Sequence, residues 1–98
     1  MTDANEPTAV RALVTVTGRV QGVGYRAFTV RAATKRGLVG GVRNLDDGRV
    51  ELEVEGFKDS ILTLLEELKA GPPAARVTAV QVEWGNATGR YADFLVRY

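Results

Sequence analysis

The sequence of 98 residues contains no cysteine and no histidine. The absence of cysteine excludes disulfides, thiolate nucleophiles, iron–sulfur clusters and zinc sites built on cysteine. Without histidine, the chain also lacks the commonest general base and the commonest metal ligand. Any catalysis must therefore depend on arginine, lysine, carboxylates, amides, hydroxyls and the backbone.

Long hydrophobic runs are also missing. No stretch of about 18 apolar residues is present, so no membrane-spanning segment is expected. The first seven residues are polar and acidic, unlike the basic and apolar start of a secretory signal. We predict a flexible tail over residues 1–8, followed by one cytoplasmic domain over residues 9–98.

Acidic residues are absent between Pro7 and Leu45, a stretch that carries seven basic residues, whereas residues 46–67 contain eight acids. The net charge of +1 hides this asymmetry. The pattern fits an anion site built by the first half of the chain. It fits equally well two halves whose charges pair across a sheet or between helices.

Hydrophobic periodicity divides the chain into alternating strands and helices. Apolar residues at i, i+3, i+4 and i+7 indicate an amphipathic helix after Gly56, and Asp47-Gly48 indicates a hairpin turn. The predicted segments are strands 10–17, 38–44, 49–55, 77–84 and 93–98, helix 25–36, and a helix over the Ile61 to Leu68 repeat. This β-α-β-β-α-β order predicts a ferredoxin-like α+β sandwich with an antiparallel sheet and two helices on one face.

Some side chains can be assigned to the core or the surface from the same periodicity. Tyr25 and Trp84 lie on apolar faces and are predicted to be buried in the core. The alternating glutamates of the third strand are predicted to point outward, and Gly56 to end that strand. A loop is predicted over residues 85–89.

A glycine-rich loop over residues 18–24 joins the first strand to the first helix. Backbone N–H groups in such a loop, together with the positive end of the helix dipole, form a suitable site for phosphate. Arg26 follows in the first helical turn, where a guanidinium could bind two phosphate oxygens. The loop is also compatible with an ordinary strand–helix turn beside a solvated arginine. Asn44 lies at the end of the second strand, where a role in forming the following turn is enough to explain an asparagine.

Two segments resemble the signature motifs of the acylphosphatase family. Residues 18–26 read Gly-Arg-Val-Gln-Gly-Val-Gly-Tyr-Arg and resemble the first motif. Residues 41–51 read Gly-Val-Arg-Asn-Leu-Asp-Asp-Gly-Arg-Val-Glu and resemble the second. The resemblance extends from about Val10 to Tyr98. Position 41, often aromatic in the family, is glycine here, which affects the expected packing and stiffness of the second strand.

The resemblance implies a hydrolase that cleaves small acyl phosphates without metal, cofactor or covalent intermediate. It implies that Arg26 binds the phosphate and that Asn44 orients the attacking water. The phosphate-binding residues would be Gln21, Gly22, Val23, Gly24, Tyr25 and Arg26, with the backbone from Gln21 to Tyr25 forming the phosphate cradle. Inorganic phosphate or sulfate is the expected product-like ligand. A phosphate oxygen of the substrate would accept the proton, with Asp46 or Asp47 as the alternative base. The side chain of Gln21 could either brace the loop or contact the ligand.

Three other functions of the same fold are disfavoured. An RNA-binding module would need aromatic residues on the third strand, where this chain has exposed acids, so no nucleic-acid partner is expected. A metal carrier would need a Cys-x-x-Cys loop. An accessory acylphosphatase-like domain, as in hydrogenase maturation factors, would be followed by further domains. From the end of the chain at Tyr98 we expect a free-standing enzyme. We also expect it to be a monomer.

Overall fold

The computed structural model describes residues 8–97. Two helices, Tyr25–Thr34 (α1) and Lys58–Ala70 (α2), pack on one face of a five-stranded sheet. The strands are Ala9–Arg19 (β1), Val39–Asn44 (β2), Val50–Phe57 (β3), Arg76–Asn86 (β4) and Phe94–Val96 (β5). The predicted ferredoxin-like α+β class is confirmed. Residues 1–7 of the predicted flexible tail, and Tyr98, lie outside the described residues.

The sheet is mixed, with the strand order β4-β1-β3-β2-β5. Neighbouring strands are antiparallel except β5, which runs parallel to β2 with Phe94 beside Gly40 and Val96 beside Val42. The prediction of a wholly antiparallel sheet is therefore wrong at this edge. The chain crosses from β4 at one edge to β5 at the other, and periodicity carries no information on strand direction.

The core lies between the sheet and the helices. Alternate residues of β1 and β3, with Val14 opposite Leu52, face α2 and are fully buried. The four apolar residues predicted for the inner face of α2 are buried there: Ile61, Leu64, Leu65 and Leu68. The predicted burial of Tyr25 is also confirmed. Neither helix of the described range is long and apolar enough to cross a membrane.

Several predicted strand and helix limits differ from the observed ones. Gly56 does not end β3, because it pairs with Val10 and the strand continues to Phe57. Val10 also pairs with Asn86, so β4 includes the first part of the predicted loop 85–89. Helix α1 ends at Thr34, two residues before the predicted limit.

Two side chains are not where periodicity places them. Trp84 is 42% exposed, because β4 is an edge strand, and Lys58 Nζ lies 5.1 Å from the centre of its ring. Glu55 points to the outer face of the sheet as predicted, but it is buried. Its carboxylate accepts hydrogen bonds from the N–H groups of Thr88 and Gly89, in the loop that follows β4.

Candidate active site

The glycine-rich loop between β1 and α1 turns its backbone through two left-handed residues. Gly22 has φ 73° and Gly24 has φ 78°, a region that glycine enters without steric cost. A Cβ at either glycine would have no atom within 4 Å, so this side of the loop is open. Within the described chain, the N–H groups of residues 21–24 donate no hydrogen bond. Among the described residues, the loop therefore combines backbone N–H groups that have no protein acceptor with open space beside Gly22 and Gly24, as an anion site requires.

Helix α1 begins directly after this loop. Gly24 is the N-cap residue, and its carbonyl accepts the first helical hydrogen bond from Phe28 N–H at 3.0 Å. The N–H groups of the first turn have no intrahelical acceptor, and no acidic side chain lies in that turn. The positive end of the helix dipole therefore adds to the loop donors.

Tyr25 fixes the start of α1 through its buried side chain. Its hydroxyl donates to the carbonyl of Leu68 in α2 at 2.8 Å, and burial raises the pKa of the phenol. Thr29, also buried, donates to the Tyr25 carbonyl at 2.9 Å. The side chain of Tyr25 thus belongs to the core.

Asn44 is the last residue of β2, where it pairs with Val50. The amide oxygen of its side chain is buried and accepts no hydrogen bond from the described residues. Asp47 performs the turn chemistry instead, because its carboxylate accepts the Arg49 N–H at 3.1 Å and the Arg49 Nε–H at 2.8 Å. The amide of Asn44 is not used to build the hairpin turn.

The loop, the helix start and Asn44 meet at a cavity of about 260 Å³. Five of the predicted site residues line it: Gly22, Gly24, Tyr25, Arg26 and Asn44. Arg26 forms no salt bridge with another residue of the range 8–97. The cavity is thus lined by two glycines of the loop, by Arg26 and by Asn44. Backbone N–H groups, a guanidinium and a side-chain amide are groups that can bind an oxyanion and a water molecule.

The two remaining predicted residues do not line the cavity. Val23 packs against the hydrophobic core. The side-chain amide of Gln21 donates to the carbonyl oxygens of Leu45 and Arg49, at 2.8 and 2.9 Å. Of the two possibilities for this side chain, the hydrogen bonds therefore favour bracing of the loop.

Sequence reasoning missed three apolar residues of the cavity lining, Val20, Ala27 and Val96. Val20 lies within the glycine loop and Ala27 in the first turn of α1, so both could have been proposed from their position in the chain. No local signal marks Val96, which reaches the cavity because β5 pairs with β2.

Comparison with known proteins identifies the family. The acylphosphatase family model matches residues 12–96. The chain belongs to the acylphosphatase family. The acylphosphatase of Anaeromyxobacter dehalogenans is 47% identical over 91% of this chain and 96% of its own length. That of Thermus thermophilus is 52% identical over 81% and 90%, respectively. The crystal structure of the Bacillus subtilis acylphosphatase aligns with a TM-score of 0.88 at 38% identity, covering 91% of this chain and 99% of that one.

These matches confirm the predicted enzyme class, an acylphosphatase hydrolase. The matched region includes the glycine loop, Arg26 and Asn44, so the whole cavity lies inside the acylphosphatase domain. Both curated acylphosphatases are covered along nearly all of their length.

Proposed function

We propose that this acylphosphatase hydrolyses the carboxyl-phosphate anhydride of a small acyl phosphate by direct attack of a water molecule positioned by Asn44. The phosphate binds to the Arg26 guanidinium and to the N–H groups of residues 21–25. One observation carries this proposal: Gly22 and Gly24 of the loop, Arg26 and Asn44 line a single cavity, and no described residue donates a hydrogen bond to the side-chain oxygen of Asn44.

The charges around the loop support phosphate binding. No acidic side chain lies in the first turn of α1, and Arg26 is not neutralised by a carboxylate within residues 8–97. A guanidinium can bind two phosphate oxygens at once, while the loop N–H groups bind others. These donors also stabilise the charge that the phosphate carries in the transition state.

The side-chain amide of Asn44 supports the placement of water. A buried acceptor without a partner costs about 1–3 kcal/mol, and a hydrogen bond from water offsets that cost. The water oxygen attacks phosphorus, and the bond between phosphorus and the acyl oxygen breaks. The electron pair of that bond leaves with the carboxylate. One proton of the attacking water passes to a phosphate oxygen, and the other stays on the oxygen that is now bonded to phosphorus. Because a carboxylate is a good leaving group, no histidine is needed.

A protein carboxylate is poorly suited to act as the base. Hydrogen bonds from Arg49, mainly that of its side chain, hold the pKa of Asp47 below its usual value, which makes its carboxylate a weaker base. Asp46 is exposed and is not among the residues that line the cavity. These contacts favour the phosphate oxygen of the substrate as the proton acceptor.

Arg26→Lys tests the phosphate half of the site. We expect benzoyl phosphate hydrolysis to be nearly abolished in a folded protein, because lysine keeps the charge but loses the planar pair of donors. Arg31→Lys, an exposed position of the same helix, is the matched control and should keep wild-type activity. In the wild type, inorganic phosphate should shift the amide signals of residues 21–26. Near-normal kcat/KM in Arg26→Lys would refute the bidentate role.

Asn44→Ala tests the water half. We expect kcat to fall by about 10²–10³, the effect of losing one well-placed polar group, with a much smaller change in phosphate inhibition. Asn44→Asp should be at least as damaging, because it places a negative charge beside the phosphate. Asn86→Ala, at the exposed end of β4, is the control and should leave both constants unchanged. If the inhibition constant rose in step with the loss of rate, Asn44 would be a phosphate ligand.

A further inference from the structure

The side chain of Gln21 joins the glycine loop to the turn between β2 and β3. Its Nε2 donates both protons, one to the carbonyl of Leu45 at 2.8 Å and one to that of Arg49 at 2.9 Å. The same turn is closed by the Leu45 N–H, which donates to the Arg49 carbonyl at 2.8 Å. The amide group of Gln21 therefore sits across both sides of a hydrogen-bonded turn.

These two hydrogen bonds connect the two halves of the cavity. Gln21 directly precedes Gly22 of the loop, and Leu45 directly follows Asn44. The residues they join are 24 and 28 positions apart in the chain. Within residues 8–97, no other hydrogen bond links residues 20–24 to residues 45–49.

The loop needs such a connection because its own backbone is poorly constrained. Gly22 and Gly24 both adopt positive φ, and the N–H groups of residues 21–24 are not held by described acceptors. Glycine-rich segments lose the most conformational entropy on ordering, so a loop of this kind needs an external contact to hold one geometry.

We propose that Gln21 is a positioning residue that fixes the phosphate-binding loop relative to Asn44, so that the water held by Asn44 lies in line with the bond to be broken. This inference rests on the proposed function. In-line attack is sensitive to geometry, and a displacement of about 1 Å can cost about 10²-fold in rate. Glutamine suits the position because a single nitrogen carries two donors, whereas the carboxylate of glutamate would face two carbonyl oxygens.

The proposal makes a prediction that a merely structural role does not. If Gln21 acts through Asn44, Gln21→Ala should lower kcat by about 10- to 100-fold while Asn44 is present. It should have almost no effect on kcat once Asn44 is alanine, because no positioned water remains to be misaligned. The phosphate inhibition constant should change by less than about threefold, since Arg26 and the backbone donors remain.

A double-mutant cycle tests whether the effect of the Gln21 substitution depends on Asn44. The kcat for benzoyl phosphate and the phosphate inhibition constant are measured for the wild type, Gln21→Ala, Asn44→Ala and the double variant. Gln21→Met, which keeps the length of the side chain but has no donor, replaces Gln21→Ala in a second cycle, and is used alone if the alanine variant does not fold. Gln81→Ala, at an exposed glutamine of β4, is the matched control and should retain wild-type activity.

A loss of kcat from the Gln21 substitution that disappears in the Asn44→Ala background supports the proposal. An equal loss in both backgrounds shows that Gln21 acts independently of Asn44, and it overturns this inference while leaving the proposed function intact. Unchanged kcat in the single Gln21 variants also overturns it. Full activity of Asn44→Ala refutes the proposed function itself, and with it any positioning role through Asn44.

Discussion

Gly40 and Gly41 are adjacent residues of β2, the strand that ends at Asn44, and the structure predicts opposite responses to alanine. Gly40 has φ +140°, and a Cβ there would lie 1.9 Å from the backbone carbonyl oxygen of Glu53 in β3. Gly41 has no positive φ, and the three heavy atoms nearest to a Cβ there would all belong to the side chain of Arg97. One position is limited by backbone and the other by a side chain that can move.

The cost at Gly40 comes from two sources. A contact between carbon and oxygen normally exceeds about 3.3 Å, so alanine would force β2 and β3 apart by more than about 1 Å. The backbone conformation adds about 1–3 kcal/mol for a residue other than glycine. Together these effects should lower the free energy of unfolding by about 3–5 kcal/mol, the range of severe single substitutions. The corresponding fall in Tm is at least about 12 °C.

At Gly41, alanine should displace Arg97 from Gly40 and from Tyr91. Its guanidinium lies 3.3 Å from the Gly40 carbonyl and 4.9 Å from the centre of the Tyr91 ring. Losing these contacts costs about 1 kcal/mol. The reduced entropy of the unfolded chain offsets about 0.4–1 kcal/mol of that. The net change in the free energy of unfolding should therefore stay within about 1 kcal/mol.

Urea unfolding followed by far-ultraviolet circular dichroism measures both variants under the same conditions. The reasoning is refuted if Gly40→Ala unfolds within about 1 kcal/mol of the wild type, or if Gly41→Ala is destabilised as much as Gly40→Ala. Gly41→Ala should displace a side chain and leave the backbone of β2, and therefore Asn44, in place. This variant should also keep most of the benzoyl phosphate activity.

Three further predictions concern stability and metal dependence. Tyr25→Phe leaves the buried carbonyl of Leu68 without its donor, so thermal melting should show a loss of about 1–3 kcal/mol. The hydrogen bond from Arg11, with that from Tyr91, lowers the pKa of Glu53 to about 2. Glu53 therefore stabilises the fold above about pH 4.5, and this contribution is lost as the pH falls towards 2. In Glu53→Gln, urea titrations across this range should show that the free energy of unfolding depends less on pH than in the wild type. Chelation with EDTA should leave benzoyl phosphate hydrolysis unchanged, and a loss restored by a divalent cation would reveal a carboxylate-bound metal.

Local sequence determined most of the fold. The alternation of Val50, Leu52 and Val54 and the helical repeat of Ile61 to Leu68 each require one buried face, and the structure buries them. Tyr25 is likewise predicted to be buried, and the structure buries it. Trp84 shows where this reasoning fails, because periodicity identifies the face of a strand but not whether that strand lies at the edge of the sheet.

The sequence by itself also predicted the polar residues of the candidate site, through the resemblance of residues 18–26 and 41–51 to two family motifs. Without that resemblance, the local pattern leaves Arg26 compatible with a solvated side chain and Asn44 with a turn residue. Only the tertiary structure decided how these groups meet. Pairing of β5 with β2 brings Val96 to the cavity, and Gln21 reaches carbonyls more than 20 residues away, contacts that depend on topology and leave no periodic signal in the chain.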